Sequence, residues 1–194
     1  MTLAVANRER LLRAATSSFL AHGYGSSVEH IARRAGVAKQ TVYSHFASKD
    51  ALFKEVAREL VKGILIELEA EPQDLRAGLV RFGLAYRRRI LSAEGIATFR
   101  TLMPEIPRFR ALAKAMYANS AGETVRRLAE HLEAAMRAGK LRRDEPEFAA
   151  ELLLGMLTGQ DRIKRLFCVL DRPDADARHA ARIVDCFLRA YSPG

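Results

Sequence analysis

The chain of 194 residues has no Trp, two Cys, six Pro and only 7% aromatic residues. Two thiols, Cys168 and Cys186, are too few for a disulfide framework and suit a reducing compartment. No uncharged run approaches the roughly 20 apolar residues of a membrane span, and Met1–Arg10 lacks the basic-then-apolar order of a secretory signal. A cytoplasmic protein with no membrane contact is therefore expected. No Gly-rich phosphate loop, G-x-S-x-G elbow or H-E-x-x-H pair occurs. His22, His30, His45, His131 and His179 show no metal-ligand spacing with each other or with the cysteines. No catalytic residue, metal site or cofactor is expected, and the chain does not read as an enzyme.

The apolar share of 49% and charged share of 28% are ordinary for a folded domain. The charge is lopsided, with 32 Lys+Arg against 23 Asp+Glu and a formal net charge of +9. Residues 1–54 hold eight basic and three acidic side chains, a net +5, and the other 140 residues a net +4. A cationic first quarter favours a polyanionic partner.

Ala and Leu supply 56 residues, and no stretch alternates β-branched with polar residues as a half-buried strand would. An all-α fold is expected. Asn7 is a candidate cap for a first helix with Leu11, Ala15 and Phe19 on one face, ending at Gly23. Ser26 and Glu29 form an S-x-x-E start signal ahead of Val28, Ile31, Ala32 and Ala35. Gly36 stops that helix, a short one follows over 39–46, and Ser48 is placed to cap a long helix towards Glu69. Further helices are expected over 73–92, 94–103, 108–138 (kinked near 119–122), 146–170 and 174–191.

Gly36 is where a helix-turn-helix needs positive φ. With Val42 and Phe46 facing inward, Lys39, Gln40, Thr41, Tyr43 and Ser44 face outward, and these can bond base edges and phosphates. An ordinary surface helix has the same pattern.

The wording of residues 36–53, GVAKQTVYSHFASKDALF, closely resembles the signature of the TetR/AcrR family of bacterial transcriptional regulators, and His22–Ala32 resembles that family's second-helix entry. Ala38 departs from it, since members often carry Ser there, and forgoes about 1 kcal/mol of capping. The resemblance implies a helix-turn-helix DNA-binding domain over 1–52 and a larger helical ligand-binding and dimerisation domain over 53–194. It implies base reading by Lys39, Gln40 and Thr41, phosphate contacts from Tyr43, His45, Lys49 and Ser27, and either from Ser44. It further implies a homodimer on double-stranded DNA and a small-molecule effector, hence a ligand-responsive repressor on a near-palindromic operator. A DNA-binding regulator controlled by a protein partner or by abundance is the alternative.

The resemblance also directs attention to bulky residues of the middle helices as effector contacts: Phe82, Tyr86, Phe99, Met103, Phe109, Met116 and Tyr117. Arg89, on the rim of the Leu75–Phe82–Tyr86 stripe, is either a candidate anchor for an anionic effector or an end-of-helix arginine snorkelling to solvent, with Thr158 and Gln160 as candidate polar contacts. The penultimate helix is apolar nearly all round in its first half, and the last carries a second broad apolar stripe. Their Leu152, Met156, Ile163, Phe167, Val184, Phe187 and Leu188 are the expected dimer interface.

Overall fold

The computed structural model describes residues 3–69, 74–107, 110–170 and 177–193. Among them there is no strand. In order the helices are α1 (Leu3–His22), α2 (Val28–Ala35), α3 (Lys39–His45), α4 (Lys49–Glu69), α5 (Leu75–Ile90), α6 (Ala93–Leu102), α7 (Arg110–Ala118), α8 (Ala121–Arg137), α9 (Pro146–Leu166) and α10 (Ala177–Ala190). Short 3₁₀ turns follow α1 and α6. The chain forms two compact units, Met1–Leu60 with Ala97–Ser120, and Val61–Ile96 with Ala121–Gly194.

In the first unit α1, α2, α3 and the start of α4 close around Leu11, Ala15, Phe19, Ile31, Val42, Phe46 and Leu52. The rings of Phe19, Tyr24 and Phe53 meet there, Phe53 edge-on to the other two at 4.9 and 5.3 Å. Helix α1 does not start at Asn7: it begins at Leu3, so Asn7 lies within it. The preceding Leu, Ala and Val tolerate helix well enough to extend it.

In the second unit α5, α8, α9 and α10 bury Leu79, Phe82, Leu128, Leu132, Leu153, Leu157, Val184 and Phe187 in one core. Gly83 allows close packing of α5 on α9, since a Cβ there would stand 2.9 Å from Leu157 Cδ2. The Asn119–Ser120 turn separates α7 from α8. Helix α9 holds a break that periodicity does not reveal: Gly159 takes φ 30°, ψ −128° inside it.

Candidate nucleic-acid interface

The turn between α2 and α3 is built by hydrogen bonds and one arginine. Gly36 adopts the left-handed conformation at φ 66°, with its N–H donated to Arg33 O at 3.1 Å and that of Val37 to Ala32 O at 3.0 Å. Arg10 of α1 donates from Nη2 to Ala35 O at 2.6 Å. A Cβ on Gly36 would lie 2.6 Å from that same Nη2, so the left-handed backbone favours glycine and any larger residue would displace the arginine tip. The cap of α2 is Ser27, not Ser26. Its hydroxyl accepts the His30 N–H at 3.1 Å, while Ser26, one position too early to reach the first turn, is buried.

Helix α3 buries Val42, and Phe46 at its C-terminal end is buried with it, while Lys39, Gln40, Tyr43 and Ser44 are exposed and Thr41 and His45 half-buried. Its cap, Ala38, makes no side-chain bond. Ser44 donates its hydroxyl to Thr41 O at 2.9 Å, leaving the oxygen as an acceptor. Lys39 forms an ion pair with Glu29 of α2, and its ammonium stands 6.0 Å from the centre of the Tyr43 ring. Burial of the Tyr24 phenol, with its bond to Asp50, pushes its pKa up to about 12. The Lys49 ammonium sits 4.2 Å over that ring, and its own burial lowers its pKa. Ser48 caps α4 by accepting the Ala51 N–H at 3.0 Å. Beside these, His45 and Lys54 line a cleft of about 340 Å³. There Arg8 and Arg58 both pair with Glu55. Sequence reasoning missed Glu29, Tyr24, Asp50 and Arg8, whose partners lie on other helices.

The effector candidates divide between the units. Phe82 is fully buried in the second, stacked on half-buried Tyr86 at 6.0 Å. Phe99, Met103, Met116 and Tyr117 belong to the first, where Met116 packs on the core and Tyr117 is exposed. Phe109 lies outside the described residues. Arg89 pairs with Glu94 at 3.1 Å. The buried arginine of α5 is instead Arg87, which donates to Asp161 at 2.8 Å and to Leu157 O. Thr158 returns its hydroxyl to Leu154 O at 3.2 Å, and Gln160 is exposed.

Of the expected interface residues, Leu152, Ile163 and Phe167 are exposed, Phe167 at 76%, and Met156 and Leu188 half-buried. Val184 and Phe187 are fully buried within the protomer's own core. Both cysteines are exposed and neither forms a disulfide. Among the described residues no group of His, Cys, Asp or Glu could hold a metal ion, and no helix is long and apolar enough to cross a membrane.

Family comparison matches residues 11–56 to bacterial regulatory proteins of the tetR family, and residues 77–193 to the C-terminal domain of AefR-like transcriptional repressors. The chain belongs to the TetR family. This TetR-family protein is 26% identical over 162 residues to the uncharacterized HTH-type regulator YdgC of Bacillus subtilis, covering 79% of this chain and 78% of that one. It is 34% identical over 94 residues to the A-factor receptor protein of Streptomyces griseus, 47% of this chain and 34% of the receptor. Among solved structures it superposes on a TetR-family regulator from Mesorhizobium loti with TM-score 0.80 at 26% identity, covering 99% of this chain and 100% of the other. The flavonoid-responsive regulator FrrA gives TM-score 0.73 at 29% identity over 96% and 97%. The TetR-family chain is a DNA-binding transcriptional regulator of all-α fold and not an enzyme.

Proposed function

We propose that this TetR-family protein is a dimeric, cytoplasmic repressor that holds a near-palindromic operator through α3 and is released by a small molecule. The observation that carries this is the division of α3: Val42 and Phe46 are committed to the core while Lys39, Gln40, Tyr43 and Ser44 stand free of it. Such a helix can enter a major groove, with Lys39, Gln40 and Thr41 towards base edges. Ser27, Tyr43, His45 and Lys49 take phosphates and fix the register, and Ser44 serves either. The functional division falls at residue 52, where the reading head of 1–52 meets the regulatory and dimerisation part of 53–194.

The dimer face consists of Leu152, Met156, Ile163, Phe167 and Leu188, an apolar stripe that the protomer itself leaves uncovered or half-covered. Two copies related by a two-fold axis present two α3 helices to successive grooves. The flavonoid-responsive relative and the receptor-named relative support a small organic effector, with Tyr86 on Phe82 as its point of attack in the second unit. The effector favours one dimer spacing and DNA another, so each weakens the other's binding by the same factor.

A mobility-shift titration on duplex DNA flanking the protein's own gene, over a salt series, tests the DNA half. The expected result is a dimer-sized complex whose affinity falls steeply with salt; indifference to duplex DNA in dilute buffer overturns it. Thermal shift against a metabolite panel tests the effector half. An unresponsive protein that still binds DNA points to control by a protein partner or by abundance.

A further inference from the structure

Glu29 stands in the first turn of α2, two residues beyond the Ser27 cap, and its side chain is 59% exposed. Its carboxylate pairs with the ammonium of Lys39, the first residue of α3. The Lys39 hydrogen bond holds the Glu29 carboxyl below the usual carboxylate range, and the same bond raises Lys39 above the ordinary lysine value.

An exposed pair of this kind contributes little to folding. Its effect falls on what the ammonium can reach. A lysine has three N–H donors on a flexible stem, and unrestrained it is a point charge that any phosphate attracts. With one donor given to Glu29, two remain. The carboxylate beside it repels the backbone of a polyanion but leaves the acceptors of a groove edge, such as guanine O6 and N7, within the chemistry of those two donors.

We infer that Glu29 is a positioning residue for sequence recognition, tethering Lys39 at the head of α3 so that it meets base-edge acceptors rather than phosphates. This rests on the reading of α3 as the DNA-contacting helix.

The test uses full-length protein and two duplexes, one of random sequence and one that the protein itself selects from a random pool. Each is titrated over a KCl series with wild type, Glu29→Gln, Lys39→Ala and the double variant. Glu29→Gln is expected to bind the random duplex about 3–10-fold tighter, with a log–log salt slope steeper by about one, because a freed lysine adds one phosphate contact. Its affinity for the selected duplex stays level or falls, so the ratio between the two narrows. In the Lys39→Ala background the change in slope disappears, and only the smaller gain from removing the carboxylate's own repulsion remains. Glu29→Gln scaling both duplexes equally, or acting equally without Lys39, overturns the inference while leaving α3 as the reader. Lys39→Ala with unchanged affinity and slope on both duplexes overturns the DNA role of Lys39, and the inference with it.

Discussion

Arg87 of α5 and Asp161 of α9 meet at 2.8 Å, with the guanidinium 97% out of solvent and the carboxylate a quarter exposed. The same guanidinium takes the carbonyl of Leu157 on the near side of the Gly159 break. A break in a helix strands carbonyls that would have been paired within it. Arg87 supplies a donor on one side of the interruption and a counter-charge on the other. A buried guanidinium is expensive unless paired, so Asp161 and the break depend on each other.

Asp161→Asn therefore is expected to destabilise by about 2 kcal/mol, less than the 3–5 kcal/mol typical of a fully buried pair because Asp161 keeps some water. Urea unfolding checks the size. The Arg87 hydrogen bond holds the Asp161 carboxyl below its ordinary value, so the stabilisation is complete above the unfolded-state carboxylate range near 3.9 and is lost as pH falls through the folded-state value. The gap between wild type and Asp161→Asn closes in acid; a gap independent of pH contradicts this account.

Gly36→Ala is expected to cost about 1–2 kcal/mol or more, from the left-handed backbone and from expelling Arg10 from Ala35 O. Arg10→Met in the Gly36→Ala background should recover part of the loss, as seen in denaturant midpoints.

Gly159→Ala separates backbone from packing. Nothing lies within 4 Å of a Cβ there, so its expected cost of about 1–3 kcal/mol is conformational alone. No change in stability would mean that α9 straightens without penalty.

Gln40→Ala is expected to relax preference at particular base pairs, by about 1–3 kcal/mol each. Lys49→Ala should instead weaken all duplexes alike and flatten the salt slope by about one unit. Binding-site selection with both variants checks the distinction; two variants that merely rescale every affinity remove Gln40 from the readers.

Ile163→Glu places a charge in the exposed apolar stripe of α9 and is expected to leave a folded monomer with weakened operator binding. Sedimentation and circular dichroism together check this, and a variant that stays dimeric moves the interface elsewhere.

Local patterns made much of this legible. Gly36, Val42 and Phe46 follow from helical spacing and from the single residue tolerant of positive φ, and the structure keeps all three roles. What spacing cannot supply is the choice among equivalent faces. Arg87, Arg88 and Arg89 point about 100° apart, and only the packing of α5 on α9 through Gly83 turns Arg87 inward. A helical stripe likewise does not say which partner covers it. Val184 and Phe187 fill the protomer's own core, while Ile163 and Phe167, equally apolar, remain outside. The cap fell one residue late because Ser26 and Ser27 are adjacent and only backbone geometry chooses between them. Glu29 and Lys39 sit ten positions apart on different helices, beyond the reach of any i,i+4 rule.

The grip of Arg10 on the carbonyls of Ala35 and Gly36 carries one more consequence. A tight bend between two short helices would ordinarily be a place to flex. Here a third helix bolts the bend shut, and a methyl group on Gly36 would push against the bolt itself. The angle at which α3 leaves α2 is thus a fixed property of the first fifty residues. Any retuning of where two copies set down on a duplex has to originate beyond them.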